Sequence, residues 1–386
     1  MEELSPIDKK RINKFIKACK RLSGYDLFAA MSSGFGTKIK MLPILPLIMR
    51  HSKITIENYA KDFSDTFLRK ALATIQYDLS DIPILIPMIF LATMNKGDGG
   101  WPIGGSFALS KNIERRYLEL EGTIDYHSNV TKILVENDKA VGVQLEDGTK
   151  HFADIIVSAA DGYSTIFKML EGKYVNSTIE TYYSSYPKTL PFGLEVWYGI
   201  NRDNSNEPHA LVLFQNKPIR IEGREYDRLD VEIFNFDPTL APYGKTVVKV
   251  VVDSNYDYWQ PLSKDIEAYN KEKKKLADNI AERLEKRFPG FRNQIEAIDV
   301  VTPISVEHWT NAYRGYCVPW PAPLDIAKEV SKKGVSKTLP RLQGFYMVGQ
   351  WAAGVNGITT VCLMGRNLIR EICKKDQKEF VTTVAN

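Results

Sequence analysis

The chain has 386 residues, of which 44% are hydrophobic and 25% charged, and its 51 basic and 47 acidic residues give a formal net charge of +4. This length is enough for two domains with well-buried cores, and the composition is typical of a globular protein. The small excess of positive charge argues against a nucleic-acid partner. Four widely spaced cysteines and five histidines without ligand spacing predict neither disulfides nor a metal site, and a reducing, cytoplasmic setting is the simplest interpretation.

The first predicted element is an amphipathic helix near the beginning of the chain. Ser5 is a candidate N-cap, Pro6 suits the first helical position, and Asp8 stands at capping-box spacing. Apolar residues then recur at helical intervals as far as Leu22. The opposite face is rich in lysine and arginine. Two interpretations fit that face: peripheral contact with an anionic membrane surface, or simple solvation.

A mostly helical and apolar region follows. Its longest apolar stretches, at residues 39–49 and 82–94, contain prolines and are shorter than the ~18–20 residues that cross a membrane. They are interpreted as buried core, with a lipid-channel surface as the alternative. A glycine-rich bend at residues 97–106 leads into a helix predicted over 107–121. The bend suits a close approach to a ligand and a tight loop-to-helix junction equally well.

Two β regions are predicted in the middle of the chain. The first has strands over residues 123–127, 130–136, 140–145 and 152–157, with hairpin turns at Asn137-Asp138 and Asp147-Gly148. Small residues at 158–162 then allow a backbone to lie close to a ligand, or simply form a turn. The second region is predicted as an antiparallel meander with one buried face, over residues 192–200, 210–214, 229–236 and 246–252. A long helix capped by Ser263 and ended by Pro289-Gly290 follows it.

The last fifth of the chain has the strongest functional pattern. A predicted strand beginning at residue 344 ends in a glycine-bearing bend, and a helix is predicted over 359–373. The first N–H groups of that helix, at Gly357, Ile358 and Thr359, are expected to face an anionic or electron-rich group, because a helix N-terminus carries partial positive charge. A reduced flavin ring is one such group. An ordinary terminal helix packed on a sheet is the alternative.

Several ordered motifs resemble one family. They are WPIGGS from Trp101, VTKILV from Val130, ADIIVSAAD from Ala153 and FYMVGQW from Phe345. Together they resemble the phytoene desaturase-like branch, which includes retinol saturase-like enzymes, of the FAD-dependent amine oxidase superfamily. The resemblance spans essentially the whole chain. It implies a mixed α/β fold, in which a Rossmann-like FAD-binding domain (98–170 and 340–376) carries an inserted substrate domain of antiparallel sheet and helices (5–97 and 171–339).

The resemblance also implies how FAD would be held and what it would do. The implied contacts are adenine at Val130, pyrophosphate and ribitol at Gly349 and Gln350, and the flavin ring at Gly357, Ile358 and Thr359. Enzymes of this family transfer hydride between FAD and a lipid-like C–C bond with few acid or base side chains. A hydrophobic substrate, such as an isoprenoid or polyene, is therefore expected, and no catalytic side chain is assigned.

Two departures from the family pattern define the functional alternatives. Family chains begin with a strand, a G-x-G-x-x-G turn and a helix, and this sequence has no such unit. The terminal bend carries Val355 and Asn356 where the family has glycines. Three interpretations remain open: a truncated or split FAD-dependent oxidoreductase whose missing FAD segment comes from a separate polypeptide, a non-redox protein that binds a hydrophobic ligand, and an inactive fragment.

Overall fold

A computed structural model describes residues 3, 5–25, 39–77, 79–354 and 356–382. Val355, one of the two departures in the terminal bend, lies outside the described residues. By its internal contacts the chain divides into two compact units, Met1–Asn112 and Ile113–Asn386. This division is made by contacts alone. The discontinuous FAD and substrate domains that the sequence predicts are a separate division and remain a prediction.

The first unit is built from helices. They are α1 (Lys9–Ser23), α2 (Leu45–His51), α3 (Ile56–Lys61), α4 (Thr66–Ala73), α5 (Leu85–Lys96) and the beginning of α6 (Gly105–Glu119). The predicted apolar stripe of α1 is confirmed, because Ile12, Phe15 and Leu22 are buried. Among the described residues, no helix is both long and apolar enough to pass through a membrane.

The two apolar stretches of the first unit are only partly core. In residues 39–49, Ile44 is fully buried while Leu42 and Met49 are more than half exposed. In residues 82–94, Met88 is fully buried while Met94 is 64% exposed. The prediction of wholly buried segments is therefore wrong for one side of each stretch. Pro43 and Pro46 stand in the first turns of two short helical segments, in which only Ile44 is buried. In the second stretch, the helix Leu85–Lys96 buries Leu85, Pro87, Met88 and Ala92.

Asp8 has a different role from the capping box predicted for it. Ser5 makes no side-chain cap and instead donates its hydroxyl to the Asp8 carboxylate at 2.9 Å. The same carboxylate accepts the backbone N–H groups of Ser64 and Asp65, each at 2.9 Å. Asp8 is 1% exposed. It therefore ties the beginning of α1 to the turn that precedes α4.

Acid should weaken this tie. Burial opposes the charge on Asp8, but the N–H groups of Ser64 and Asp65 outweigh it and hold the pKa of the carboxyl below its usual value. Because the pKa of Asp8 is lower in the folded chain than in the unfolded chain, its carboxylate stabilises the fold at pH values above the unfolded pKa of about 3.9. This stabilisation is lost as the pH falls through the pKa of the folded chain. We expect Asp8→Asn to lower the Tm at neutral pH and to flatten its fall below about pH 4. Thermal melts followed by circular dichroism at several pH values measure the Tm of each variant. Asp62 is exposed, so an equal change in Tm for Asp62→Asn would contradict a specific role of the Asp8 carboxylate.

Within the described ranges, the second unit contains three sheets. An antiparallel sheet holds β1 (Val130–Glu136), β2 (Lys139–Leu145) and β3 (Lys150–Phe152). A parallel pair is formed by β4 (Ile156–Ser158) and β10 (Phe345–Met347). The largest sheet has the order β6-β7-β8-β5-β9, with β5 (Leu190–Ile200), β6 (Ala210–Ile221), β7 (Arg224–Ile233), β8 (Thr246–Ser254) and β9 (Ile295–Val301).

Along the chain, the helices of the second unit lie between these strands or follow the last of them. They are α7 (Ser177–Ser184), α8 (Tyr256–Leu262), α9 (Ile266–Arg287), α10 (Pro303–Thr310), α11 (Leu324–Lys333), α12 (Gln350–Ala353) and α13 (Ile358–Lys375), with a π-helical turn at Ser164–Met169. The predicted cap of the long helix is corrected: Asp265 accepts the N–H groups of Glu267 and Ala268. Asp265 can do so because it directly precedes the first helical residue, which Ser263 does not.

Two strand predictions in the first β region are wrong. Residues 123–127 form turns and irregular backbone, and His127 has a φ of 56°, which an extended strand cannot contain. The strand predicted over 152–157 is divided into two. β3 pairs with β2, and the chain then leaves that sheet so that β4 pairs with β10.

The largest sheet is antiparallel and buries one face, as predicted, but it is not a simple meander. β5 lies between β8 and β9, and β9 was absent from the sequence prediction. The alternate residues Leu194, Val196 and Tyr198 are fully buried with the apolar side of α9. The Tyr198 hydroxyl also donates to the carbonyl of Ala277 in α9 at 2.7 Å. One face of the sheet is thus a closed apolar core.

Candidate functional site

The two parallel strands end together, at the edge where the sequence predicts a flavin contact. Val157 pairs with Tyr346, and the N–H of Val348 donates to the carbonyl of Ser158 at 2.9 Å. Gly349 therefore follows β10 next to the small residues that follow β4. The carboxyl ends of parallel strands are where α/β proteins bind nucleotides.

The backbone at Gly349 and Gly357 is open and requires glycine. Gly349 has φ 89° and ψ −173°, and Gly357 has φ 106°, values that side chains rarely allow. A Cβ added at Gly349 would come no closer than 3.9 Å to another atom, the carbonyl oxygen of Ala159. A Cβ at Gly357 would come no closer than 4.0 Å, to Thr360. Conformation rather than lack of space therefore selects glycine, and the backbone at both positions is accessible.

The last helix, α13, begins close to the residue predicted from the sequence. The helix begins at Ile358, one residue earlier than predicted, and it has no side-chain cap at Gly357. Its first backbone hydrogen bond is from the N–H of Val361 to the carbonyl of Gly357. The preceding N–H groups have no helical partner, as at every helix N-terminus, and Ile358 and Thr359 are exposed. An 18-residue helix thus presents partial positive charge at Ile358, nine residues after Gly349 along the chain.

Gln350 connects the bend to another loop. It is the first residue of α12, and its side-chain amide donates to the carbonyl of Cys317 at 2.8 Å. The side chain therefore holds the bend against the segment before α11. The contact with pyrophosphate or ribitol that the family resemblance implies concerns the backbone of Gln350 and remains a prediction.

Val130 adjoins a series of hydrogen bonds that leads to the same region. It is the first residue of β1, and its neighbour Asn129 accepts the side-chain amide of Asn311 at 3.1 Å. The carbonyl of Asn311 accepts the hydroxyl of Ser164 at 3.0 Å. Ser164 in turn donates its N–H to Asp161, just after β4, at 2.7 Å. The structure thereby links the beginning of β1 to the loop that follows β4.

A buried polar cluster beside the bend is not predicted from the sequence. Asp161 Oδ1, Tyr183 Oη and Ser336 Oγ make no hydrogen bond, and all three residues are more than 90% buried. Burial raises the pKa of Asp161 although the N–H of Ser164 opposes the shift. Burial, and then the nearby Asp161, raise the pKa of Tyr183. Buried polar atoms without protein partners are characteristic of sites that take an ordered water or a ligand group.

The face of the largest sheet opposite its apolar core carries charged and aromatic side chains. We call the group Glu195, Trp197, Glu232, Phe234 and Lys249 the polar sheet face. Cross-strand pairing places Lys249 between Trp197 and Glu232. The Lys249 ammonium lies 2.8 Å from the Glu232 carboxylate and 5.1 Å from the centre of the Trp197 ring. The Trp197 indole N–H donates to Glu195 at 3.0 Å.

Glu195 is a partly buried carboxyl of the polar sheet face. Burial raises the pKa of its carboxyl, although Lys249 and the hydrogen bond from Trp197 oppose the shift. Desolvation, and then the nearby Glu195, raise the pKa of the Cys317 thiol to about 11. The backbone of Cys317 is the group to which Gln350 donates.

Curated relatives of the chain are carotenoid enzymes, although no family model matches it. A chloroplastic prolycopene isomerase from Daucus carota is 28% identical over 295 residues, which cover 73% of this chain and 45% of that protein. A lycopene-forming phytoene desaturase from Pseudescherichia vulneris is 25% identical over 285 residues, 67% of this chain and 54% of that protein. The chain spans about half the length of these two relatives.

A solved structure supports the fold. An oxidoreductase from Methanosarcina mazei is 20% identical, with a TM-score of 0.54, and the match covers 88% of this chain and 74% of that one. This likeness confirms the predicted mixed α/β fold. The chain is therefore similar in sequence to prolycopene isomerases and phytoene desaturases, in agreement with the phytoene desaturase-like family that its motifs resemble.

Proposed function

We propose that the chain acts in an FAD-dependent oxidoreductase that transfers hydride between FAD and a C–C bond of a hydrophobic isoprenoid or polyene substrate. The uncapped N-terminus of α13, which follows the Gly349 bend along the chain, carries this proposal. The accessible backbone at Gly349 and Gly357 fits a group that lies along it. The carotenoid enzymes among the relatives support the substrate class.

The residues of this chain would orient FAD and stabilise its charge. The bend at Gly349 and Gln350 would lie along the pyrophosphate and ribitol, and the N–H groups at the beginning of α13 would face the ring. Bound FAD would supply hydride acceptance. The α13 N-terminus would favour that chemistry because its N–H groups would stabilise negative charge on the ring. We further propose that tight binding needs a strand, glycine loop and helix to cradle the phosphates, whichever polypeptide carries them.

Thr359→Asp separates flavin binding from helix stability. An aspartate in the first turn of α13 should stabilise the helix by ~0.3–1 kcal/mol, because it complements the helix dipole. The same charge should repel the electron-rich edge of FAD and weaken its binding about tenfold. Asparagine has the shape of aspartate without its charge. Thr359→Asn should therefore leave both the helix stability and the affinity for FAD close to wild type. Thermal melts and quenching of FAD fluorescence measure the two effects.

The titration is run on the chain alone and together with a polypeptide that contains a strand, a G-x-G-x-x-G loop and a helix. We expect weak binding to the chain alone and tighter binding to the mixture. Stoichiometric flavin on the purified chain alone would show that no further segment is needed. Absence of binding in both samples would overturn the flavin proposal and favour a non-redox ligand-binding protein.

A further inference from the structure

The strand β4 has a side that no other strand covers. Ile156 and Ser158 exchange backbone hydrogen bonds with β10, and the N–H of Ile156 donates to the carbonyl of Gly344 at 2.8 Å. Backbone groups of a strand point alternately to its two sides, so the N–H and the carbonyl of Val157 point away from β10. In the described part of the chain, no strand pairs with that side of β4. We call this side of β4 the open edge.

The opposite edge of the two-stranded sheet is closed by a loop. The N–H of Met347, which points away from β4, donates to the carbonyl of Lys337 at 2.9 Å. The open edge has no such cover. It also lacks the charges and prolines that protect natural edge strands, since β4 consists of Ile156, Val157 and Ser158. An unprotected edge of this kind is a template for pairing with another strand.

One face of the same two strands is also incompletely covered. Phe345 and Met347 are at most 2% exposed on the core face. Tyr346 lies on the other face together with its cross-strand partner Val157, which is 42% exposed. The helix α13 approaches this face, where Lys375 donates to the Tyr346 hydroxyl at 3.0 Å, but none of its 18 residues is buried. Parallel sheets are normally covered on both faces, so this one has apolar surface left to bury.

The chemistry of the open edge suits a polypeptide strand. The backbone of an added strand offers an acceptor and a donor to the N–H and the carbonyl of Val157 together. A strand parallel to β4 would also end at the same edge of the sheet as Gly349, because parallel strands share their carboxyl ends. A second copy of the chain would instead pair the two β4 strands antiparallel about a two-fold axis and bring no further loop to that edge.

Further polypeptide is present in the similar proteins. This chain spans about half the length of the prolycopene isomerase and the phytoene desaturase, so each of them contains more polypeptide than the matched part. We propose that the open edge of β4 docks a parallel, apolar β-strand of a partner polypeptide, and that a glycine loop and a helix follow this strand. The role of the loop rests on the proposed flavin function, whereas the docking of the strand does not. Ile155 and Val157, on one face of β4, pack against the docked segment.

The test measures docking without FAD. A labelled synthetic polypeptide of about 30 residues contains a strand rich in valine and isoleucine, a G-x-G-x-x-G loop and a helix. It is titrated with the full chain, and fluorescence anisotropy is followed. Docking should slow hydrogen exchange at the N–H of Val157, because the bond to the added strand protects it. The same polypeptide with a proline at the centre of its strand should bind at least about tenfold more weakly.

Val157→Pro tests the open edge from the side of the chain. The N–H that it removes makes no bond to β10, and proline is tolerated where the N–H of a strand points away from its neighbour. We expect this variant to bind the polypeptide at least about tenfold more weakly. The matched control Val157→Thr keeps the N–H and the β-branched shape, so its Kd should stay within about twofold of wild type. Circular dichroism melts establish that both variants are folded, and the proline-containing polypeptide tests the same contact in the wild-type chain.

Three results would overturn the proposal. The wild-type chain does not bind the polypeptide, or Val157→Pro binds it as tightly as the wild type. In the third, sedimentation shows that the chain alone forms a dimer that Val157→Pro abolishes, because a second copy would then occupy the open edge. Docking without any binding of FAD would contradict the flavin function alone, and binding of FAD without docking would contradict this proposal alone.

Discussion

Glu222→Leu is expected to destabilise the second unit by ~3–5 kcal/mol, because it removes the acceptor for several buried donors. The Glu222 side chain is 1% exposed. Its carboxylate accepts the N–H of Asn255 at 2.8 Å and the indole N–H of Trp259 at 2.6 Å, together with the hydroxyl of Ser254. The substitution would bury these donors without partners.

The position of Glu222 explains why several elements of the second unit depend on its carboxylate. With φ of 49° it forms, with Gly223 at 77°, the two-residue turn between β6 and β7. Its carboxylate thereby joins that hairpin to the end of β8 and to α8. Arg224 adds an ion pair at 3.1 Å. The loss of one side chain therefore loosens four elements together.

Urea unfolding followed by tryptophan fluorescence measures this effect, since five of the six tryptophans lie in the second unit. Glu222→Gln should lose less stability than Glu222→Leu, because an amide oxygen still accepts one of the donors. Glu225→Leu, on the exposed part of the same hairpin, should remain within about 0.5 kcal/mol of wild type. An unchanged transition in Glu222→Leu would show that the carboxylate is not the acceptor that holds these elements.

The features that a local pattern can specify are the ones the sequence predicts well. Alternation at Leu194, Val196 and Tyr198 predicts the buried sheet face, because side chains alternate along a strand. Asn137 and Asp138 predict a hairpin turn, and both have the positive φ that such a turn requires. The strand order is different: β5 pairs with β9 about 100 residues later, and nothing in either segment specifies its partner.

The same distinction applies to the candidate site. Gly349 and Gly357 are predictable because a positive φ selects glycine. The polar cluster of Asp161, Tyr183 and Ser336 is assembled from three distant segments of the chain, so its members show no common spacing. Glu195 resembles an ordinary solvent-facing strand residue in the sequence. Only the fold reveals that it is partly buried beside Lys249.

Gly162→Ala should be the most damaging small substitution at the candidate site. A Cβ at Gly162 would lie 1.9 Å from the hydroxyl oxygen of Tyr183 and 3.0 Å from the Cβ of Trp351. The Tyr183 ring cannot readily move, because it is 2% exposed and in edge contact with Tyr182 and Trp320. Overpacking of this kind costs ~1–3 kcal/mol, and more where neighbours are rigid. We expect a loss of ~3 kcal/mol in urea unfolding.

Tyr183→Phe provides the matched rescue. It removes a hydroxyl that has no hydrogen-bond partner, so alone it should change stability by less than about 1 kcal/mol. Combined with Gly162→Ala it should restore at least half of the loss, because the clashing atom is gone, and a double-mutant cycle measures that coupling. A cost above about 2 kcal/mol for Tyr183→Phe alone would contradict this picture. It would mean that an ordered water joins Tyr183 to Asp161 and Ser336, and that the cluster beside the bend is hydrated.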